Sequence, residues 1–230
     1  MQFPNATVDD RAIYFPSFDA LVLADLHLGR VRSSQVELPL GEHADILERI
    51  EAVCHAHEPT QVVLAGDVVH AFDSIPVEVA ETITTLAETI AESGASLTVT
   101  AGNHDPVLAS LDVVDPVPAR RLGPETVVLH GHEEPPVDVA RYVIGHEHPA
   151  ITIEGMRRPC YLDCPDQRGG AAVLVLPAFS RAAPGTTVNA ARTADTMSPL
   201  LTDLDRCRPI VPTDGDPLEF PALEEFRPHL

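Results

Sequence analysis

Short apolar runs alternate along the chain with longer segments of helical periodicity, a pattern typical of a layered α/β fold. The runs, rich in Val, Leu and Ile, predict strands at Ala20–Ala24, Gln61–Ala65, Ser96–Ala101, Thr126–Leu129, Arg141–Ile144, Ile151–Ile153, Cys160–Leu162 and Ala171–Leu176. Apolar residues spaced for one helix face predict helices at Gly41–His57 and Pro76–Ser93. Both helices are expected to pack against the sheet.

The periodic pattern fades after Arg181, where Pro, Thr and Asp become frequent. A chain of 230 residues with 44% hydrophobic content can bury one substantial core. We therefore expect a single domain over residues 1–230, with a core from about 19 to 180 and a Pro-rich, acidic extension from 181 to 230. Its last part, Asp214 to Leu230, is expected to cover a sheet edge, contact a partner or be loosely held.

The charge of the chain is strongly negative, at −20, and all 15 basic side chains are arginine. A lysine-free acidic surface suits a cytosol with molar salt, where the screening length shrinks to roughly 3 Å. A halophilic source is the favoured interpretation, and GC-rich codon usage with an acidic surface for solubility is the alternative. A halophilic protein is expected to lose thermal stability at low salt.

The location of the protein is expected to be cytoplasmic, with no membrane contact. No apolar stretch approaches the roughly 20 residues that cross a bilayer. The start of the chain, Met1 to Asp10, lacks the basic and apolar regions of a secretion signal. Free thiols are therefore expected at Cys54, Cys160, Cys164 and Cys207. The spacing of Cys160 and Cys164 only loosely resembles that of a zinc site.

Polar residues follow five of the predicted strands directly. The clusters are Asp25-Leu26-His27, Gly66-Asp67, Gly102-Asn103-His104-Asp105, His130-Gly131-His132 and His146-Glu147-His148. Open α/β sheets bind ligands outside the carboxyl ends of their strands, so these clusters can converge. Carboxylates and imidazoles gathered at a buried edge need a compensating charge, which divalent cations supply.

The type of donor narrows the choice of metal. Oxygen and nitrogen donors without thiolates favour Mn²⁺, Fe²⁺ or Zn²⁺, and the number of imidazoles argues against a pure Mg²⁺ or Ca²⁺ site. We expect two divalent metal ions, with Mn²⁺ as the first choice and Fe²⁺ or Zn²⁺ as alternatives.

The five clusters, in this order from Asp25 to His148, resemble the calcineurin-like binuclear metallophosphoesterases. The resemblance implies a four-layer α/β/β/α sandwich with two mixed β-sheets, and hydrolysis of phosphate esters by a hydroxide held between two metals. It implies that Asp25, His27 and His148 hold one metal. It implies that Asn103, His130 and His146 hold the other, and that Asp67 bridges the two.

The same resemblance makes His104 the catalytic imidazole and gives Asp105 the task of fixing its tautomer and orientation. His70 and His132 match no ligand position and are candidates for contact with a ligand or with substrate. Arg30 is a further candidate, because its forked donors suit a phosphate. Glu147, between two predicted ligands, is expected to point away from the metals.

Residues flanking the clusters, in Ala24–Gly29, Gly66–His70 and Gly145–Ala150, resemble archaeal phosphoesterases related to the SbcD nuclease and bacterial ligase-associated endonucleases of the PdeM type. A phosphodiesterase or a DNA endonuclease or exonuclease is thus the first expectation. A small-molecule phosphomonoesterase or nucleotidase, and a non-catalytic scaffold of the same fold, are the alternatives. The partner is a phosphate-ester substrate, DNA being one candidate, although a lysine-free chain cannot offer the usual basic face. A homo-oligomer is compatible with the sequence.

Overall fold

The computed structural model describes residues 5–30, 41–70, 74–213 and 215–227. Three helices are described, α1 (Glu42–His57), α2 (Val77–Glu92) and α3 (Leu223–Phe226). The strands are β1 (Thr7–Asp9), β2 (Ala12–Phe15), β3 (Ala20–Leu23), β4 (Gln61–Ala65), β5 (Ser96–Thr100), β6 (Arg120–Arg121), β7 (Thr126–Leu129), β8 (Arg141–Ile144), β9 (Pro149–Ile153), β10 (Met156–Pro159), β11 (Tyr161–Cys164), β12 (Ala172–Val175), β13 (Thr186–Thr187), β14 (Arg208–Val211) and β15 (Leu218–Glu219).

The strands form two large mixed sheets, as the family resemblance implied. The first has the order β1-β2-β3-β4-β5, with β3, β4 and β5 parallel to one another and β1 and β2 antiparallel at the edge. The second has the order β15-β14-β11-β12-β8-β7-β6, with a parallel centre of β12, β8 and β7. A small third sheet, β10-β9-β13, was not predicted.

Side chains alternate between the two faces of each strand, and this alternation builds the layers. On β3, Leu21 and Leu23 pack with the helices, whereas Ala20 and Val22 lie between the two sheets. On β7, Val128 faces the first sheet and its neighbours face outward. The strands read as continuous apolar runs because both of their faces are buried.

The fourth layer covers the outer face of the second sheet with the C-terminal part of the chain. Its apolar contacts come from residues such as Leu200, Leu204 and Leu223, which lie in 3-10 turns, loops and the one-turn helix α3. The α/β prediction is confirmed, with the difference that this layer contains no long helix within the described residues. Short turns suffice because they need only seal one sheet face.

The predicted C-terminal extension contributes strands to the second sheet. Strand β14 pairs with β11, and β15 adds to β14 at the edge. Of the three expectations for the segment from Asp214 to Leu230, coverage of a sheet edge is the one seen in its described part. Asp214 and residues 228–230 lie outside the described residues.

The expectation of four free thiols is wrong for one pair, because Cys164 and Cys207 form a disulfide. The antiparallel register of β11 and β14 pairs Asp163 with Arg208, which brings the next residue on each side face to face. Cys164 is thereby removed as a metal ligand. The thiols of Cys54 and Cys160 are free and buried, and burial raises the pKa of Cys160.

In the described ranges no helix has both the length and the apolar character needed to cross a membrane.

Candidate metal centre

All five predicted polar clusters lie at the carboxyl ends of strands, three on the first sheet and two on the second. The ends of β3, β4 and β5 are adjacent because these strands are parallel neighbours. The ends of β7 and β8 are adjacent for the same reason. The two sheets meet where Nδ1 of His130 lies 3.0 Å from the backbone oxygen of Ala65, at the end of β4.

A first donor set consists of Asp25, His27, Asp67 and His148, whose candidate ligand atoms all lie within 4.8 Å of one another. Nε2 of His148 is 3.2 Å from Nε2 of His27 and 3.2 Å from Oδ1 of Asp25. Asp25, His27 and Asp67 are buried, and His148 is partly buried. The four side chains therefore surround a space suited to one cation.

A second donor set gathers around Nε2 of His130. This atom is 3.0 Å from Oδ1 of Asn103, 3.1 Å from Nδ1 of His146 and 3.4 Å from Oδ2 of Asp67. Because a backbone oxygen can only accept, Nδ1 of His130 carries the proton in its contact with Ala65, and Nε2 directs a lone pair into the cluster. His130 thus has the tautomer of a metal ligand.

Asp67 is common to both sets through a single oxygen atom. Oδ2 of Asp67 lies 3.4 Å from Nε2 of His130 and 3.8 Å from Nε2 of His27. Its other oxygen, Oδ1, accepts a hydrogen bond of 2.9 Å from the backbone N–H of His104. That bond fixes the carboxylate, so that Oδ2 faces both donor sets.

The chemistry of these side chains fits divalent cations. Oδ1 of Asp25 is fully buried and, among the described residues, accepts no hydrogen bond unless His148, whose Nε2 lies 3.2 Å away, is protonated there. A buried, unsatisfied carboxylate oxygen is costly unless a cation or a donor neutralises it. The lone pair on Nε2 of the neighbouring His130 likewise faces other acceptor atoms. Bound cations would satisfy both the charge and the lone pairs.

Burial also sets the protonation of the donors. It lowers the pKa of His27 to about 3 and that of His146 to about 4, so both imidazoles are neutral near pH 7. Burial raises the pKa of Asp67 to about 7. For Asp25 burial acts in the same upward direction, but the nearby imidazoles, His148 foremost, outweigh it and lower the pKa.

His148 differs from the other imidazoles. Burial alone would lower its pKa, but the attraction of the Asp25 carboxylate outweighs burial and raises it. A proton on His148 therefore stabilises Asp25 in the way a cation would, and the two compete for the same place.

Five of the predicted ligands have a left-handed backbone, a conformation that side-chain-bearing residues adopt infrequently. They are Asp25 (φ 59°), His27 (φ 47°), Asp67 (φ 47°), His146 (φ 68°) and His148 (φ 45°). These turns come directly after straight, buried strands. The turns thereby direct carboxylates and imidazoles toward the donor sets. A continued strand would instead place successive side chains on opposite faces of the sheet.

Two glycines in the motifs make room for the donors. A Cβ atom on Gly66 would lie 2.4 Å from Nδ1 of His130, and one on Gly102 would lie 2.2 Å from Oδ1 of Asp67. Both distances are too short for any side chain. The Gly-Asp and Gly-Asn-His-Asp patterns therefore reflect close packing around the donors as well as the donors themselves.

His104 and His70 stack on each other at one side of the first donor set. Their ring centroids are 4.8 Å apart, and each ring lies edge-on to His27 at 5.4 Å. The carboxylate of Asp105 accepts backbone hydrogen bonds from Val69 at 3.0 Å and from Gly102 at 3.1 Å. Asp105 thus holds the two ligand loops together. Its predicted role in orienting His104 stays a prediction.

His132 lies beside the second donor set, and Arg30 lies beside the first. The His132 ring is 5.1 Å from that of His130 and 6.0 Å from that of His146. The backbone N–H of Arg30 donates to the carbonyl of His27 at 3.0 Å. Burial first, and then the positive charge of Arg30, lower the pKa of His70. The guanidinium therefore contributes positive charge near the site.

Glu147 has a contact that the sequence did not reveal. Its side chain is 7% exposed, and Oε1 accepts hydrogen bonds from the backbone N–H groups of Met197 at 2.7 Å and Ser198 at 2.6 Å. Its carboxylate is thus held by the C-terminal segment. The sequence could not predict this contact, because the partners of Glu147 lie in the C-terminal part of the chain, where no periodicity indicates their position.

Comparisons with known proteins agree with this geometry. The family model described as Calcineurin-like phosphoesterase matches residues 18–138, just over half of the chain. Among solved structures, the "nuclease MPE" of Pseudomonas putida is similar, with a TM-score of 0.65, 23% identity, and coverage of 91% of this chain and 92% of that one. No curated protein matches. The chain belongs to the calcineurin-like phosphoesterase family and is a hydrolase acting on phosphoester bonds.

Proposed function

We propose that this chain is a two-metal phosphodiesterase that acts on nucleic-acid or nucleotide esters. The observation that carries the proposal is the position of Oδ2 of Asp67 between His27 and His130. One carboxylate shared by two donor sets is the arrangement that holds two cations side by side.

The proposed ligands follow the two donor sets. One cation would be held by Asp25, His27 and His148, the other by Asn103, His130 and His146, with Asp67 shared. When bound, such a pair supplies positive charge to the phosphoryl oxygens and lowers the pKa of a bound water to about 7. The absence of thiolates and the number of imidazoles favour Mn²⁺, with Fe²⁺ or Zn²⁺ as alternatives.

The other contributions to catalysis would come from side chains of the protein. We propose that His104 gives a proton to the leaving oxygen or stabilises charge on the phosphoryl group, a contribution typically worth about 10²–10⁴-fold. Its ring is half-buried beside His27, so it can face both solvent and substrate. The guanidinium of Arg30 would orient a phosphoryl oxygen through its forked donors.

The choice of a diester over a monoester has two supports. The similar P. putida structure is titled a nuclease. The sequence of the residues flanking the proposed ligands resembles that of nuclease-related phosphoesterases. The formal charge of −20 makes long, nonspecific contact with a DNA backbone unfavourable at low salt. Short or locally bound nucleotide diesters therefore suit the chain better than extended duplexes.

A substrate panel tests the proposal. The Mn²⁺-loaded protein would be assayed in high salt with bis-p-nitrophenyl phosphate, p-nitrophenyl phosphate, single-stranded DNA and duplex DNA. We expect hydrolysis of the diester and of single-stranded DNA above a blank containing Mn²⁺ alone. Faster hydrolysis of the monoester would favour the phosphomonoesterase alternative. No hydrolysis at all, with two cations bound, would refute the proposal.

A further inference from the structure

A wide-open, shallow cleft of about 770 Å³ lies beside the second donor set. One wall is formed by His132, Glu133 and Glu134, and the other by the C-terminal segment that includes Thr196, Met197 and Ser198. His132 connects the cleft to the metal centre, because its ring lies 5.1 Å from the ring of His130. A group attached to a phosphate at the metal centre can therefore extend into this cleft.

The C-terminal wall is attached to the metal centre through Glu147. In the sequence this residue lies between two proposed ligands. Its carboxylate accepts hydrogen bonds from the backbone N–H groups of Met197 and Ser198. The Glu147 carboxylate is buried, and so is its hydrogen bond from Ser198, so the pair of bonds fixes the wall relative to His146 and His148. The family model ends at residue 138, before both Glu147 and this wall.

The two walls differ in chemistry. Hydroxyl groups of the C-terminal wall are engaged within it, since Oγ1 of Thr196 donates to Thr193 at 2.7 Å and Oγ of Ser198 accepts from Leu200 at 3.3 Å. The 57% exposed side chain of Met197 leaves that wall largely apolar. The opposite wall presents two carboxylates, Glu133 and Glu134.

This combination selects an uncharged group with a flat apolar face and N–H or O–H donors. Methionine packs well against aromatic rings, and carboxylates accept hydrogen bonds from amino and hydroxyl groups. The same carboxylates repel a second phosphate. Arg168 forms an ion pair with Glu134, and Nε2 of His132 lies 3.7 Å from Oε1 of Glu133, so both carboxylates have a neighbour that holds them at this wall.

We infer that the cleft binds a nucleoside group of the substrate ester, and that Glu147 is a positioning residue that keeps the C-terminal wall in place. The inference rests on the proposed function and narrows it. The preferred substrate is an ester whose nucleoside on the cleft side is terminal, because a further phosphate on that nucleoside is disfavoured. Single-stranded DNA would accordingly be cut at its end.

Three chromogenic esters test the selectivity, because all release p-nitrophenolate: bis-p-nitrophenyl phosphate, thymidine 5′-(p-nitrophenyl phosphate), and the latter with a 3′-phosphate. We expect the highest kcat/KM for the thymidine ester and a value lower by about tenfold or more for the 3′-phosphorylated one. Equal values for these two esters would overturn the inference. If none of the three is hydrolysed, the proposed function itself fails.

Neutralising the acidic wall should relax the selectivity. The double variant Glu133→Gln/Glu134→Gln changes exposed side chains, so the fold is not at risk. It is expected to raise kcat/KM for the 3′-phosphorylated ester by about tenfold relative to the thymidine ester. The matched control, Glu88→Gln/Glu92→Gln, removes the same charge from exposed positions on α2 and should leave that ratio unchanged. An equal response of both double variants would contradict the cleft assignment.

The role of Glu147 is tested by a pair of substitutions with metal content measured beside kinetics. Glu147→Ala releases both backbone N–H groups and is expected to raise KM for the thymidine ester by about tenfold, with a smaller change for bis-p-nitrophenyl phosphate. Glu147→Gln keeps an oxygen acceptor, so its KM for the thymidine ester should stay close to that of the unmodified protein. Equal increases in KM for both esters, at unchanged metal content, would show that Glu147 does not position the wall.

Discussion

The two donor sets share Asp67 but differ in how closely the protein encloses them. The first has its ligand atoms within 4.8 Å of one another, and three of its four residues are buried. In the second, Asn103 is exposed and His146 is only partly buried. The difference indicates that the first set is a preformed, tight site, whereas the second is open to solvent and lies beside the cleft. We expect the first cation to bind more tightly and the second to exchange.

The largest expected effect is that of Asp67→Asn, which changes the one residue common to both sets. Losing the shared negative charge should lower the affinity for both cations together. Turnover at a fixed Mn²⁺ concentration should fall by roughly 10⁴-fold, since metal stabilisation of the transition state is worth several kcal/mol. Metal content and turnover would be measured on one preparation. Loss of only one cation would show that the two sets are independent.

His104→Ala is expected to separate chemistry from metal binding. The variant should keep both cations and lose about 10²–10⁴-fold in kcat. His70→Ala is the matched control, since its ring stacks on that of His104 at the same side of the site. A smaller loss is expected for the control. Full activity of His104→Ala would refute its proposed role.

The asymmetry between the sets is tested by comparing His27→Ala with Asn103→Ala. His27 belongs to the enclosed set, so its loss should weaken the tighter cation by about 100-fold. Asn103→Ala should leave the tighter cation bound and reduce only the occupancy of the weaker one. Isothermal titration with Mn²⁺ measures both steps. The reverse pattern would contradict the assignment of tight and open sites.

A smaller effect is expected from pH. Burial raises the pKa of Asp67 to about 7, so below that pH a cation must displace a proton. Mn²⁺ affinity is therefore expected to fall by at least about tenfold per pH unit below pH 7, more steeply where the proton on His148 must also leave, and to level off once both groups have lost their protons. His27 and His146, with pKa values of about 3 and 4, do not compete with the cation above pH 5. Affinity that stays constant from pH 5 to 8 would show that Asp67 is ionised throughout.

The sequence predicted the centre of the fold well, because apolar runs and the polar residues after them carry that information locally. The limits of β4, β7 and β8 match the predicted strands. The donor residues after them converge because parallel strands end at the same edge. These features depend on nearest neighbours along the chain and on one general rule of sheet geometry.

The parts that were missed depend on contacts between distant segments. The Cys164–Cys207 disulfide follows from the register of β11 against β14, and no local pattern encodes that register. The contact of Glu147 with Met197 joins residues 50 positions apart. Both involve the C-terminal part of the chain, whose path over the second sheet is set by packing.

The left-handed backbone at five proposed ligands has a consequence for stability. Such a conformation costs roughly 1 kcal/mol for each residue that carries a side chain. Five residues together reach about 5 kcal/mol, which is comparable to the net stability of 5–15 kcal/mol typical of a folded protein. Glycine at these positions would relax the backbone and abolish the donor. Selection for a heat-resistant chain and selection for a working centre therefore oppose each other at the same five residues.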